Sequence, residues 1–159
     1  MPVAFLRGMN LGRRRITNVE LAAIFEDFGL AEVRCYRASG NVLFEGEATE
    51  EALERHLQGA LGYPVKVFLR TVEELDAICA FAFSREGKTQ VNLLREDPPA
   101  EVLEYATQDD LLALGPRCLY WQPIGRSTDS VLDHRALDKL HGRGTMRTMG
   151  TLTNIRKKL

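Results

Sequence analysis

The 159-residue sequence predicts an α+β fold, and three observations carry that prediction. Short apolar or alternating runs, such as Val3-Ala4-Phe5-Leu6 and Val42-Leu43-Phe44, have strand character. Between them lie stretches whose apolar residues recur every three or four positions, with threonine or asparagine near the start and, in the first of them, glycine at the end. Both kinds of segment continue along the whole chain without a low-complexity linker.

Residues 2–7 read as a strand, and Asn18 opens a helical pattern in which Leu21, Ile24, Phe25 and Phe28 share one face before Gly29 ends it. Residues 33–38 and 42–45 are two further strands around Ser39-Gly40-Asn41, where Gly40 and Asn41 are suited to the positive φ angles of a tight hairpin. Thr49 caps a second helix carrying Leu53, Leu57, Ala60 and Leu61, and residues 65–70 form a fourth strand. The result is strand, helix, strand, strand, helix, strand, the ferredoxin-like βαββαβ order. Thr71-Val72-Glu73-Glu74 has capping-box spacing and predicts a third helix running to Phe83. Residues 91–95 read as a strand, and Pro98-Pro99 as a loop or the first turn of a helix. Gly115-Pro116 turns the chain into a strand over 119–122. An amphipathic helix follows over 130–141, with Val131, Leu132, Ala136, Leu137 and Leu140 inward, and a basic helix over 150–158. The second half thus reads as a degenerate copy of the first. The expectation is one compact α+β unit over 1–159, with 1–70 and 71–159 as candidate sub-lobes.

The formal net charge of −1 conceals an uneven distribution. Residues 1–17 hold four arginines and residues 143–159 three arginines and two lysines, with no acid in either segment. Twelve basic residues therefore face all 22 acids in between, a formal charge of −10. Cationic ends on an acidic body would steer an anionic ligand to one place if the fold brings them together; two solvated tails are the plainer alternative. Cys35, Cys79 and Cys118 lack metal-type spacing and read as reduced thiols, which points to the cytoplasm. The opening apolar run is too short, and Arg7 too early, for a signal peptide, and no stretch has the roughly 20 apolar residues of a membrane span.

The segment Arg7-Gly8-Met9-Asn10-Leu11-Gly12, followed by Arg13 to Arg15, has the ingredients of an anion site: glycines that let backbone amides turn inward, with guanidinium groups beside them. It does not fit the dinucleotide fingerprint, because the middle glycine is missing and the next helix starts too late, and the chain has no Gly-Lys-Ser/Thr triplet. Thr145-Met146-Arg147-Thr148 sets hydroxyls and a guanidinium ahead of a helix start, a second place for an oxyanion or simply a helix cap. His134, Asp138 and His141 share a helical side, but one opposite the apolar residues, so a solvated face is preferred over a metal site. Ser39 and the cysteines stand in no nucleophile motif. Glu73-Glu74 and Asp109-Asp110 read as exposed caps at helix ends, and Trp121 as a core residue more than a stacking platform.

Three blocks, Arg7 to Gly12, Tyr36 to Val42 with its Ser39-Gly40-Asn41-Val42, and Thr145-Met146-Arg147 with the threonine-rich helix after it, together resemble the bacterial domain-of-unknown-function 1697 family. The resemblance covers nearly the whole chain and implies a small cytosolic α+β protein with ferredoxin-like order; it brings no activity, cofactor or partner. Thr148-Met149 stands where the family usually has Asn-Trp, and Arg13 where a glycine is frequent, so Trp121 is the sole tryptophan left for any stacking role.

The functional expectation is an anionic ligand, either a small molecule such as a nucleotide or phosphorylated metabolite, or the phosphates of a nucleic acid. Arg7, Gly8, Asn10, Gly12, Ser39, Asn41, Thr145 and Arg147 are its candidate contacts, with no metal, cofactor or membrane involved. Two rivals stay open. One is an enzyme acting on a phosphate- or carboxylate-bearing small molecule; the other is a protein-interaction module that uses an exposed sheet edge.

Overall fold

A computed structural model describes residues 1–9, 15–37 and 40–159. The chain divides into two units, Met1–Val72 and Glu73–Lys158. The first holds β1 (Val3–Arg7), α1 (Asn18–Phe28), β2 (Ala31–Cys35), β3 (Asn41–Glu45), α2 (Glu50–Leu61) and β4 (Lys66–Arg70). Its sheet is antiparallel in the order β2-β3-β1-β4, the ferredoxin-like arrangement expected.

Local chemistry fixes the helices of this unit. Thr17 accepts from the Glu20 amide while the Glu20 carboxylate accepts from the Thr17 amide, a reciprocal capping box, and Gly29 closes α1 in the left-handed region at φ 113°. Thr49 caps α2 by accepting from the Ala52 amide, and Gly62 closes it at φ 82°. Leu21, Phe25, Leu53 and Leu57 then pack on Ala4, Leu6, Val42, Phe44 and Val67, every one of them buried. The opposite sheet face carries Val3, Phe5, Leu43 and Phe68, also buried, which explains why β1 reads as an unbroken apolar run instead of an alternating one.

The β2–β3 connection departs from the expected tight turn. β2 ends at Cys35, and positive φ falls at Arg37 (60°) and Gly40 (87°), while Asn41 is already extended in β3. Tyr36 and Asn41 close the loop with a main-chain bond of 2.9 Å, so the loop is wider than Gly40 and Asn41 alone would make it.

The second unit holds α3 (Val72–Cys79, its first residue shared with the first unit), β5 (Gln90–Leu93), a 3-10 helix (Ala100–Tyr105), β6 (Asp110–Gly115), β7 (Cys118–Pro123), α4 (His134–His141), β8 (Thr145–Thr148) and α5 (Met149–Arg156). The strand order β6-β7-β5-β8 repeats that of the first sheet position for position, so the degenerate second copy is real at the level of topology. Leu94, Val102, Leu119, Trp121, Leu132 and Leu137 form its core on one face of the sheet. On the other face the Tyr120 hydroxyl donates to the Ile78 carbonyl at 2.8 Å, and the Phe81 ring stacks on Tyr120.

Several elements differ from what the sequence predicts. α3 ends at Cys79, short of Phe83, and α4 begins at His134, leaving Val131 81% exposed instead of inward. Leu140 and Ala60 are exposed as well. Thr145 to Thr148 is a strand that leads straight into α5, with Thr148 as the helix cap, one of the two readings of the sequence.

Asp110 is the largest correction. It is no exposed cap but a 1% exposed residue on β6, where its carboxylate accepts from Trp121 Nε1 (2.8 Å), Ser130 Oγ (2.6 Å) and Thr107 Oγ1 (2.8 Å). Burial pushes its carboxyl pKa up, but the three donors, Ser130 foremost, together with nearby His134 outweigh burial and hold it below the ordinary 3.8. The network ties β6, β7 and the segment before α4 together.

Two predictions follow from these contacts. Because the folded pKa of Asp110 is depressed, its contribution to stability is complete above the ordinary carboxylate value and fades as pH falls through the folded value. Asp110→Asn should therefore destabilise the protein by about 2 kcal/mol at neutral pH and narrow its gap to wild type below about pH 4 in denaturant melts; an undiminished gap in acid would contradict the network. A Cβ on Gly40 would lie 2.8 Å from Leu6 Cβ at a φ of 87°, whereas one on Gly29 would meet nothing within 4 Å. Gly40→Ala should accordingly cost roughly 2–4 kcal/mol and Gly29→Ala only about 1 kcal/mol, read from unfolding midpoints.

Candidate functional site

The described candidate residues of the first unit, Arg7, Gly8 and Asn41, lie at one end of its sheet. β1 ends at Arg7, which pairs with Lys66 of β4, and Gly8 follows at φ 86°, a conformation that L side chains resist. Beyond Gly8 the chain is anchored at Met9, which is buried and whose carbonyl accepts from Tyr63 Oη at 3.3 Å. Asn10, Gly12 and Ser39 lie outside the described residues.

What brings the β2–β3 loop to this end is a main-chain bond from Leu6 N to Gly40 O of 2.9 Å. The approach is close enough that Gly40 must lack a side chain, since Leu6 and Met9 occupy the space where its Cβ would go. Asn41, expected to face a ligand, is 3% exposed and donates from Nδ2 to the Tyr36 carbonyl at 3.0 Å, so it braces the loop from inside. On the same loop Asn18, the first residue of α1, donates to the Arg37 carbonyl at 3.2 Å. The start of α1, the end of β1 and the β2–β3 loop therefore meet, with Arg7 and Arg37 as cations on two of these segments. The Arg37 guanidinium lies over the Tyr36 ring, 5.4 Å from its centroid. Arg37 was not among the candidates read from the sequence; the signal for it was a cation beside an aromatic one step before a glycine-bearing turn.

In the second unit Thr145 and Arg147 are neighbours on one face of β8. Arg147 Nη1 donates to Thr145 Oγ1 (2.7 Å) and to the Met146 carbonyl (2.8 Å). Thr145 is buried, and burial pushes the Arg147 guanidinium down to about 10, still fully charged at neutral pH. Thr148 caps α5 by accepting from Thr151 N at 3.1 Å. Arg7, Gly8 and the Gly40–Asn41 turn thus belong to one unit, and Thr145 with Arg147 to the other.

His134 and His141, read from the sequence as part of a solvated helix side in preference to a metal site, have neighbours of other kinds. His134 meets the Trp121 ring edge to face at 4.7 Å between centroids, and His141 Nδ1 is 2.6 Å from the Gly142 carbonyl. Among the described residues no three of His, Cys, Asp and Glu are grouped as metal ligands, and no helix is long and apolar enough to cross a membrane. Trp121 fills the second core, as expected of it.

Comparison with known proteins places this geometry in a family. No curated protein is significantly similar to the chain. Among solved structures it is similar to "conserved bacterial protein SP0830 from Streptococcus pneumoniae" with a TM-score of 0.80 and 22% sequence identity, covering 99% of this chain and 97% of that one. At that identity the likeness speaks for the fold, which both chains share over their whole length. The sequence pattern described as "Protein of unknown function (DUF1697)" matches residues 1–120, which include β1, the β2–β3 loop and the start of the second unit; the chain belongs to that family.

Proposed function

We propose that this protein is a cytoplasmic binding protein for a small phosphate-bearing ligand, a nucleotide or a phosphorylated metabolite, held at the end of β1 by the Arg7-Gly8 segment and the β2–β3 loop. The observation that carries the reading is the Leu6–Gly40 contact. It joins the Arg7-Gly8 segment to the glycine-bearing β2–β3 loop, whose Arg37 carbonyl in turn accepts from Asn18 at the start of α1. Glycine at positive φ turns main-chain N–H groups toward a common side, and guanidinium forks complement phosphate oxygens; together they form the chemistry of an oxyanion cradle. A helix start adds favourable field for the same charge.

Arg147 supports the same ligand chemistry within its own unit. Its charge is disfavoured by burial, and an anion beside it would offset that cost. Thr145 Oγ1 holds the guanidinium in place. A small ligand is favoured over a long nucleic acid because the chain between the two basic ends carries a formal −10, which repels an extended polyanion beyond its first contacts.

The test is native mass spectrometry of protein purified at low salt, followed by calorimetric titration with ADP and with pyrophosphate. Arg7→Ala and Arg37→Ala are each expected to weaken binding at least roughly tenfold, the loss of one charge-assisted contact. Unchanged affinity in both variants would remove the β1 site from the account. Arg147→Ala measures the second unit's share independently. A single-stranded RNA whose affinity falls tenfold or more between low and physiological salt, with ADP inert, would reassign the ligand to nucleic acid.

A further inference from the structure

The two sheets end in four edge strands, and three of them carry devices that stop another strand from adding. On β4 the outward amides of Val67 and Leu69 donate to carboxylates of α2, Glu54 at 3.3 Å and Glu50 at 2.9 Å. β2 has a register shift between Ala31 and Arg34, with Glu32 at a positive φ of 49° and charges at both Glu32 and Arg34. β8 is four residues long and runs directly into α5. Bulges, charges, brevity and cover are the means by which proteins blunt an edge.

Beyond Asp110, whose outward amide and carbonyl pair with Thr107, β6 has none of them. It pairs with β7 over six consecutive residues without a shift, and from Leu111 to Gly115 it carries no charge and no proline. The hairpin closes through the two-residue turn Pro116-Arg117, and Ile124 N donates to Asp109 O at 2.7 Å. Antiparallel alternation then makes Leu111, Ala113 and Gly115 exchange bonds with β7, while Leu112 and Leu114 turn their N–H and C=O groups to the open side. Those groups have no partner among the described residues.

The side chains around this edge are apolar too. Of the seven large apolar residues exposed among those described, four sit here: Leu114 on β6, Leu103 and Tyr105 on the 3-10 helix, and Leu140 on α4. The 3-10 helix packs against both β6 and α4, so the four lie on one contiguous set of elements. Exposed apolar residues on the elements beside an open edge are the kind of surface that receives another chain.

We propose that β6 is a self-association edge, pairing antiparallel with β6 of a second copy of this chain about a two-fold axis at Ala113. Self-pairing is favoured because the strand is its own complement. Leu112 falls opposite Leu114 of the second copy, Ala113 opposite Ala113, and no like charges meet. Four main-chain hydrogen bonds join the outward groups of Leu112 and Leu114 across the axis, and the two four-stranded sheets become one of eight. The elements next to β6 carry exposed charges of both signs, Glu101 and Glu104 on the 3-10 helix and Arg135 and Lys139 on α4, so a two-fold can also match opposite charges.

Sedimentation velocity from roughly 1 µM to 1 mM tests the proposal. Wild type should pass from monomer to dimer, and Leu114→Lys, which sets a charge in the seam, should weaken the dimer at least roughly tenfold. Leu114→Pro, which removes an N–H that β7 does not use, should do the same, while Val19→Lys on exposed α1 should change nothing. Circular dichroism confirms that each variant is folded. Amide exchange on wild type gives an independent reading: the Leu112 and Leu114 amides should slow with rising concentration. A wild type monomeric throughout, a dimer that survives in both folded Leu114 variants, or exchange at these amides indifferent to concentration would each overturn it.

Discussion

The candidate site rests on one close approach, that of Gly40 to Leu6. The bond from Leu6 N to Gly40 O extends the pairing of β1 beyond β3 into the loop, and the missing side chain at Gly40 lets Leu6 and Met9 fill the space beneath it. Every other element of the site is attached to that contact. Asn41 braces the loop through Tyr36, Asn18 at the start of α1 holds the Arg37 carbonyl, and Tyr63 secures Met9 just beyond Gly8. The outcome is two joined segments, one bearing Arg7 and the other Arg37, at one end of the sheet, where loops commonly carry function.

The second unit uses the same topology with different reinforcement. Where the first relies on capped helices packed over an apolar sheet, the second places a buried carboxylate among three donors at the junction of β6, β7 and the chain before α4. An ionised Asp110 withdrawn from water is tolerable only because each donor is supplied, and removing one partner leaves a buried polar group without compensation. Arg85 plays a similar part farther along β7, donating to the Gln122 side chain and carbonyl at 2.8 Å each and so pinning the segment ahead of β5.

Much of the first unit was legible in the sequence, because its signals are local. Thr17 with Glu20, Thr49, Gly29 and Gly62 mark helix ends by hydrogen bonds made within three or four residues, and each strand of the unit carries valine, three of the four with phenylalanine as well. The second unit hid its strands. Asp110-Leu111-Leu112-Ala113-Leu114 contains no β-branched residue, and the acid pair before it looks like a helix cap; only the distant Trp121 and Ser130 make Asp110 a core residue. β8 is too short for periodicity to register. Of the candidate site, Arg7, Gly8 and the turn at Gly40 were legible from composition, whereas Arg37 and the inward-facing role of Asn41 depend on a loop width that no local pattern encodes.

The central claim is that an anion is held where the end of β1 meets the β2–β3 loop, and amide chemical-shift mapping during a titration with pyrophosphate reads it most directly. Saturable shifts of the Gly8 and Gly40 amides, with the exposed α2 amides unmoved, are the predicted result. Shifts confined to the basic C-terminal residues Lys157 and Lys158, with Gly8 and Gly40 silent at saturation, would contradict it.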